Sequence, residues 1–87
     1  MSGESLHVRE RIVLAPATGR FVVDTDDELD PACPGHLVVA GSPLGGVIGS
    51  GRTTAVTTPF TGVLAGLLAH DGERVREGQP VAWLRVA

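Results

Sequence analysis

The chain has 87 residues and a net charge of −3, with 43% hydrophobic residues and few aromatic ones. This length suits one small domain with a modest core, and the acidic balance offers no basic surface for nucleic acid. The single cysteine excludes an internal disulfide and a cysteine-based zinc site. No hydrophobic run approaches membrane-spanning length and the polar N-terminus has no signal-peptide core, so we expect a cytoplasmic protein without a membrane partner.

Twelve glycines and six prolines divide the chain into short segments, which favours strands and turns over helices. We expect residues 1–8 to be a flexible lead-in and residues 9–87 to form one domain. Alternating apolar residues predict short strands, at 9–15, 20–23, 36–40, 44–49, 63–69 and 81–86. A Ser-Gly dipeptide at residues 50 and 51 predicts a tight turn in a central hairpin over residues 44–58.

A proline-bounded acidic loop follows the second predicted strand. Its five acids are Asp24, Asp26, Asp27, Glu28 and Asp30. Prolines and clustered carboxylates are typical of a surface loop and not of a strand inside a sheet. We therefore predict an irregular, solvated segment over residues 24–36.

The sequence also contains an internal repeat. The pattern Pro-x-Thr-Gly at residues 16–19 recurs at 59–62, a shift of 43 positions, and Gly-x-Pro at 41–43 recurs at 78–80, a shift of 37. The first copy thus carries about six extra residues, which fall in the acidic loop. Each copy is too small to bury its own apolar face, so the two must pack together. We predict an all-β fold: a flattened barrel or sandwich of two short antiparallel sheets related by a pseudo-two-fold.

Four ordered motifs resemble a known family. They are Ala-Pro-x-x-Gly-x-Phe at 15–21, Gly-x-x-Val-x-x-Gly-x-x-Leu at 35–44, Pro-Phe-x-Gly at 59–62 and a Gly-x-x-Val run at 72–81. This set resembles the biotinyl/lipoyl attachment domains, most closely the biotin carboxyl carrier branch. The resemblance implies a barrel-sandwich hybrid in which residues 24–36 form the protruding loop that this branch calls the thumb.

The chain departs from that family at the hairpin tip. The family attaches its cofactor to a lysine in a Met-Lys-Met context, and ungapped alignment places Ser50, Gly51 and Arg52 there. Gly51 stands at the attachment position and has no side chain. The Arg52 guanidinium stays protonated and is not a nucleophilic amine. Since the chain contains no lysine at all, we expect it to carry neither biotin nor lipoate, and no other cofactor.

Three residues of the thumb are candidates for chemistry. Cys33 and His36 lie three apart and could form an activated thiolate pair, or they could be a small buried cysteine and a surface histidine. Asp26 could act as a general base, or it could be one solvated acid of the loop. No paired metal-ligand motif is present, so we expect no metal site.

The resemblance implies that the thumb faces the hairpin tip. The position without biotin would then be a cleft in which Arg52 could stabilise developing negative charge, and Ser50 and Thr53 would line it. Arg52 could equally be a solvent-facing charge on a turn.

Two functions follow from these features. The first is a repurposed carrier fold that binds and processes a small molecule. Its reaction would be ring closure or proton transfer on an acyl or polyketide-type intermediate of secondary metabolism, a cyclase or lyase-type activity. The second is a non-catalytic accessory or docking subunit of a carboxylase or acyl-transfer complex. The partner would accordingly be a small-molecule ligand or a larger enzyme of the same pathway, and the chain itself a monomer or weak homodimer.

Overall fold

A computed structural model describes residues 9–23 and 35–86, which form two four-stranded antiparallel sheets and no helix. The eight strands are β1 Arg9–Leu14, β2 Gly19–Val23, β3 Leu37–Val38, β4 Pro43–Gly49, β5 Arg52–Thr57, β6 Gly62–Leu67, β7 Arg74–Val75 and β8 Pro80–Val86. The first sheet has the order β1-β8-β6-β3, and the second has the order β5-β4-β2-β7. The predicted all-β sandwich is confirmed.

Strands β1–β4 and β5–β8 are two copies of one unit. β1 and β2 match β5 and β6 at a shift of 43 positions, whereas β3 and β4 match β7 and β8 at a shift of 37. Exchanging the copies converts the strand order of the first sheet into that of the second, as a pseudo-two-fold requires. Each sheet therefore contains two strands from each copy, and neither copy forms a sheet alone.

The inner faces of the two sheets are buried in the same pattern. β1 and β5 share one sequence of exposed and buried positions, and so do β3 and β7. Phe21 in β2 and its counterpart Leu64 in β6 are completely buried. Burial of a side chain of this size contributes about 1.5–3 kcal/mol. The other fully buried side chains are mainly aliphatic: Val13, Leu44, Val47, Val56, Val75, Val81 and Leu84.

The threonine of each Pro-x-Thr-Gly motif accepts a hydrogen bond from the other copy of the repeat. The Oγ1 of Thr18 accepts a hydrogen bond from the backbone N–H of Glu77 at 3.0 Å, and the Oγ1 of Thr61 accepts one from that of Ala40 at 2.8 Å. These two bonds are equivalent under the pseudo-two-fold. In each, the threonine belongs to one copy and the amide to the other, so the motif ties the copies together.

The strand register defines the two ends of the sandwich. Gly49 pairs with Arg52 at the hairpin, and at the equivalent place in the first sheet Val86 pairs with Arg9. The carbonyl of Thr18, which follows β1, lies against Gly49. β1 therefore runs toward the hairpin end, and Arg9 and Val86 lie side by side at the opposite end.

The structure corrects two predicted strands and adds one. β3 is shorter than the predicted 36–40, because Ser42 donates its N–H to the carbonyl of Val39 and closes a turn there. β6 ends at Leu67 and not at residue 69. Alternation does not predict β7, because two residues are too few to show a period. Other bounds differ by one residue. The lead-in 1–8 and the thumb residues 24–34 lie outside the described part of the chain.

Candidate functional site

The central hairpin turns through Ser50 and Gly51. Both have positive φ angles, 52° and 72°, and the flanking Gly49 and Arg52 form the last pair of the ladder. These are the features of a two-residue type I′ turn, whose twist suits antiparallel strands. Ser50, Gly51 and Arg52 are all exposed. A Cβ placed on Gly51 would meet no atom within 4 Å, so this position projects into open space.

The structure brings four of the predicted site residues together and leaves a fifth apart. Ser50, Gly51, Arg52 and Thr53 are consecutive on the hairpin of the second sheet. His36 is half-buried at the edge of the first sheet, where its carbonyl accepts a hydrogen bond from the N–H of Leu64. Asp26 and Cys33 lie outside the described residues. A cleft between the thumb and the hairpin stays a prediction.

A groove of about 370 Å³ runs over the second sheet on the side away from the core. Its lining is mostly apolar and comes from β2, β4 and β5: Val22, Val23, Gly45, Gly46, Ile48, Thr53 and Ala55. Of these, only Thr53 belongs to the residues that the sequence suggests for a site. The groove begins next to the hairpin and continues along the sheet.

Two adjacent glycines lie in the strand beneath this groove, and the missing side chain of Gly46 keeps it open. Gly46 pairs with Val22 on one side and with Ala55 on the other, in the middle of the sheet. A Cβ on Gly46 would lie 3.2 Å from Cγ2 of Thr53. The absence of that side chain therefore leaves space above the backbone of β4. At Gly45 a Cβ would collide with the carbonyl oxygen of Val22. Glycine inside a strand often marks a place where another group approaches closely.

Two arginines stand beside the groove on the same face. Arg20 of β2 pairs with Ile48 of β4 on one side and with Arg74 of β7 on the other. Both arginine side chains are exposed. The sequence does not reveal this pair, because the two residues are far apart in the chain and meet only through the β2–β7 register.

Neither a cluster of metal ligands nor a membrane-spanning helix is found in the part of the chain that the structure describes. Within residues 9–23 and 35–86, no three His, Cys, Asp or Glu side chains cluster as metal ligands would. The same ranges include no helix that is long and apolar enough to span a membrane.

Three solved structures share this fold. The urea carboxylase of Kluyveromyces lactis matches 87% of the chain with a TM-score of 0.72 and 21% identity. A single-chain, multi-domain long-chain acyl-CoA carboxylase matches 90% with a TM-score of 0.72 and 18% identity. A succinylglutamate desuccinylase/aspartoacylase family protein from Shewanella amazonensis matches 94% with a TM-score of 0.63 and 19% identity.

These likenesses establish the fold and go no further, because the sequence identities are low. The match occupies 6%, 7% and 21% of the three chains, respectively. Two of the proteins are carboxylases, and the third is not named as one. No protein-family profile and no curated protein sequence matches the chain.

Proposed function

We propose that this chain is a carrier-like domain without an attachment lysine that binds a small apolar molecule in the groove of its second sheet. The observation that supports the proposal is the groove itself, about 370 Å³ in volume and adjacent to the hairpin. Volumes of about 300–1,000 Å³ with mainly apolar lining are typical of small-molecule sites. The chain contains no lysine, so it has no side chain to which biotin or lipoate would be attached in the family that it resembles.

The groove favours an aliphatic or flat aromatic ligand. Val22, Ile48 and Ala55 present hydrocarbon to its interior, and Ile48 is 40% exposed at the surface of a sheet. Removing such surface from water contributes roughly 25 cal/mol per Å². An apolar ligand covering these side chains would gain this free energy without any change in the fold.

Binding, and not turnover, is the function that the described lining supports. Thr53 supplies one hydroxyl group, and the other lining residues carry no acid or base. Ring closure or proton transfer requires a group that can exchange a proton. Of the two predicted catalytic residues that the structure describes, Arg52 lies on the strand that contributes Thr53, whereas His36 lies at the edge of the other sheet.

Amide chemical shifts during titration with octanamide, a neutral aliphatic probe, test the proposal. We expect shifts concentrated at β2, β4 and β5 around the groove. Ala55→Leu places a larger side chain over the groove and should weaken binding at least fivefold. Thr57→Leu is the matched control, because Thr57 is exposed on the same face of β5 but does not line the groove. Equal affinity in the two variants would contradict the proposal.

The docking role remains the alternative. The outer face of the first sheet exposes Leu37 at 69% and Val63 at 40%, which lie directly opposite each other, and large exposed apolar residues grouped on one face are typical of interaction sites. In that case octanamide leaves the groove amides unshifted. A purified carboxylase subunit would instead bind the chain, and Leu37→Asp would abolish that binding.

A further inference from the structure

Arg20 and Arg74 form an unusual pair on the second sheet. They lie directly opposite each other on β2 and β7, and both are exposed. Like charges directly opposite each other in an antiparallel pair are destabilising. The register therefore places two cationic side chains at one cross-strand position.

The two acids of the turn that precedes Arg74 accept hydrogen bonds from other groups. Oδ1 of Asp71 accepts a hydrogen bond from the N–H of Val23 at 2.8 Å, and Oε1 of Glu73 accepts one from the N–H of His70 at 2.8 Å. Both carboxylates thus stabilise the turn before β7. The described hydrogen-bond donors to these carboxylates are the two backbone N–H groups and, at Oε2 of Glu73, Nε2 of Gln79 at 3.4 Å.

The pair and the groove share one face and are continuous. Across the sheet, Thr53, Ile48, Arg20 and Arg74 form a single row through β5, β4, β2 and β7. Val22, which lines the groove, is two residues beyond Arg20 on the same face of β2, about 7 Å away. A ligand in the groove therefore lies within reach of the guanidinium groups.

We propose that Arg20 and Arg74 bind the carboxylate of an apolar acid whose hydrocarbon part occupies the groove. This inference rests on the proposed function and specifies its ligand class. An arginine side chain can form two parallel hydrogen bonds to a carboxylate, and the bound anion would relieve the repulsion between the two cations. A mainly apolar lining suits the hydrocarbon part of such an acid and offers few polar partners to a polyphosphate.

The other half of the molecule shows that this pair is not imposed by the fold. The equivalents of Arg20 and Arg74 are Val63 and Leu37, which also lie directly opposite each other. Either apolar or cationic residues thus fit these positions. The arginines occur on the face that has the groove.

Parallel titrations with octanoate and octanamide test the inference, because the probes share one hydrocarbon chain and differ in charge. We expect the wild-type chain to bind octanoate about five- to tenfold more tightly, an effect limited by the exposure of the arginines. Arg20→Gln with Arg74→Gln should abolish this preference, because octanoate binding falls about five- to tenfold toward that of octanamide. The matched control is Arg76→Gln with Arg85→Gln, which alters net charge equally at exposed positions that do not line the groove, and it should retain the preference.

Three results would overturn the inference. If the wild-type chain binds octanoate and octanamide equally well, Arg20 and Arg74 do not bind the carboxylate, while the proposed binding of an apolar molecule in the groove still stands. An equal loss of preference in the control variant assigns the effect to net charge. Binding of neither probe rejects the proposed function itself, and the carboxylate site with it. Amide spectra of each variant establish that the fold is retained.

Discussion

The two sheets of this protein are alike inside and different outside. Trp83 of β8 is the pseudo-two-fold equivalent of Gly46 of β4. In the first sheet Trp83 pairs with Gly66, whereas in the second sheet Gly46 pairs with Val22. The larger residue of the pair is on β8 in the first sheet and on β2 in the second, and the glycine is on β6 in the first sheet and on β4 in the second. As a result, the first sheet has an indole ring where the second sheet has a groove.

A bulge accompanies this difference. β6 has a register shift between Leu64 and Gly66 in its pairing with β8, whereas the described residues of β2 pair with β4 without a shift. Bulges bend a strand and redirect its side chains. Gly66 lies under the ring of Trp83, where a Cβ would be 2.9 Å from Nε1. The comparison teaches that the duplicated core tolerates either surface, so the groove is a property of the second sheet and not of the fold.

The largest expected effects come from the shared core. Phe21→Ala should lower the free energy of unfolding by about 3–5 kcal/mol and Leu64→Ala by about 2–5 kcal/mol, because both side chains are completely buried. Such losses approach the whole stability of a small domain. Urea denaturation measures both. If either substitution cost less than about 1 kcal/mol, the two copies would not share one equally packed core.

A smaller effect is expected on the outer face of the first sheet. Trp83 is half-buried, and Arg85 lies over its ring at 5.7 Å from the centroid. Trp83→Ala should therefore destabilise the fold by about 1–2 kcal/mol, less than truncation of a fully buried aromatic. Binding of octanamide should not change. Weakened binding in this variant would mean that the two faces are not independent.

The smallest expected effect tests the bonds between the copies. Thr18→Val and Thr61→Val each remove one side-chain acceptor from a backbone N–H. We expect both to lower the free energy of unfolding by a similar amount, about 0.5–1.5 kcal/mol. Thr57→Val, at an exposed position of β5, serves as the control and should lie within about 0.5 kcal/mol of the wild type. Clearly unequal effects at residues 18 and 61 would show that the copies have diverged at this contact.

Much of the fold follows from the sequence because its signals are local. The Pro-x-Thr-Gly and Gly-x-Pro motifs locate equivalent turns, and Ser50-Gly51 locates the hairpin. The interleaving of the copies does not follow, because alternation identifies the buried face of a strand but not its neighbour in the sheet. β7 is too short to show alternation.

The candidate site is harder to predict, because it depends on register. The resemblance to carrier domains directs attention to the hairpin tip, and of the groove it identifies Thr53 alone. Gly45-Gly46 within a strand was the available signal. Arg20 and Arg74 become neighbours only once β2 and β7 pair. The pattern of this one sequence does not reveal that pairing.

The pairing of Arg9 with Val86 means that this fold can be circularly permuted. These residues occupy the place that Arg52 and Gly49 occupy around the hairpin turn. A turn as short as Ser50-Gly51, built between β8 and β1, would close the strands into a ring. The chain could then be opened at the hairpin with every strand keeping its neighbours. In such a ring neither copy of the repeat precedes the other in the sequence.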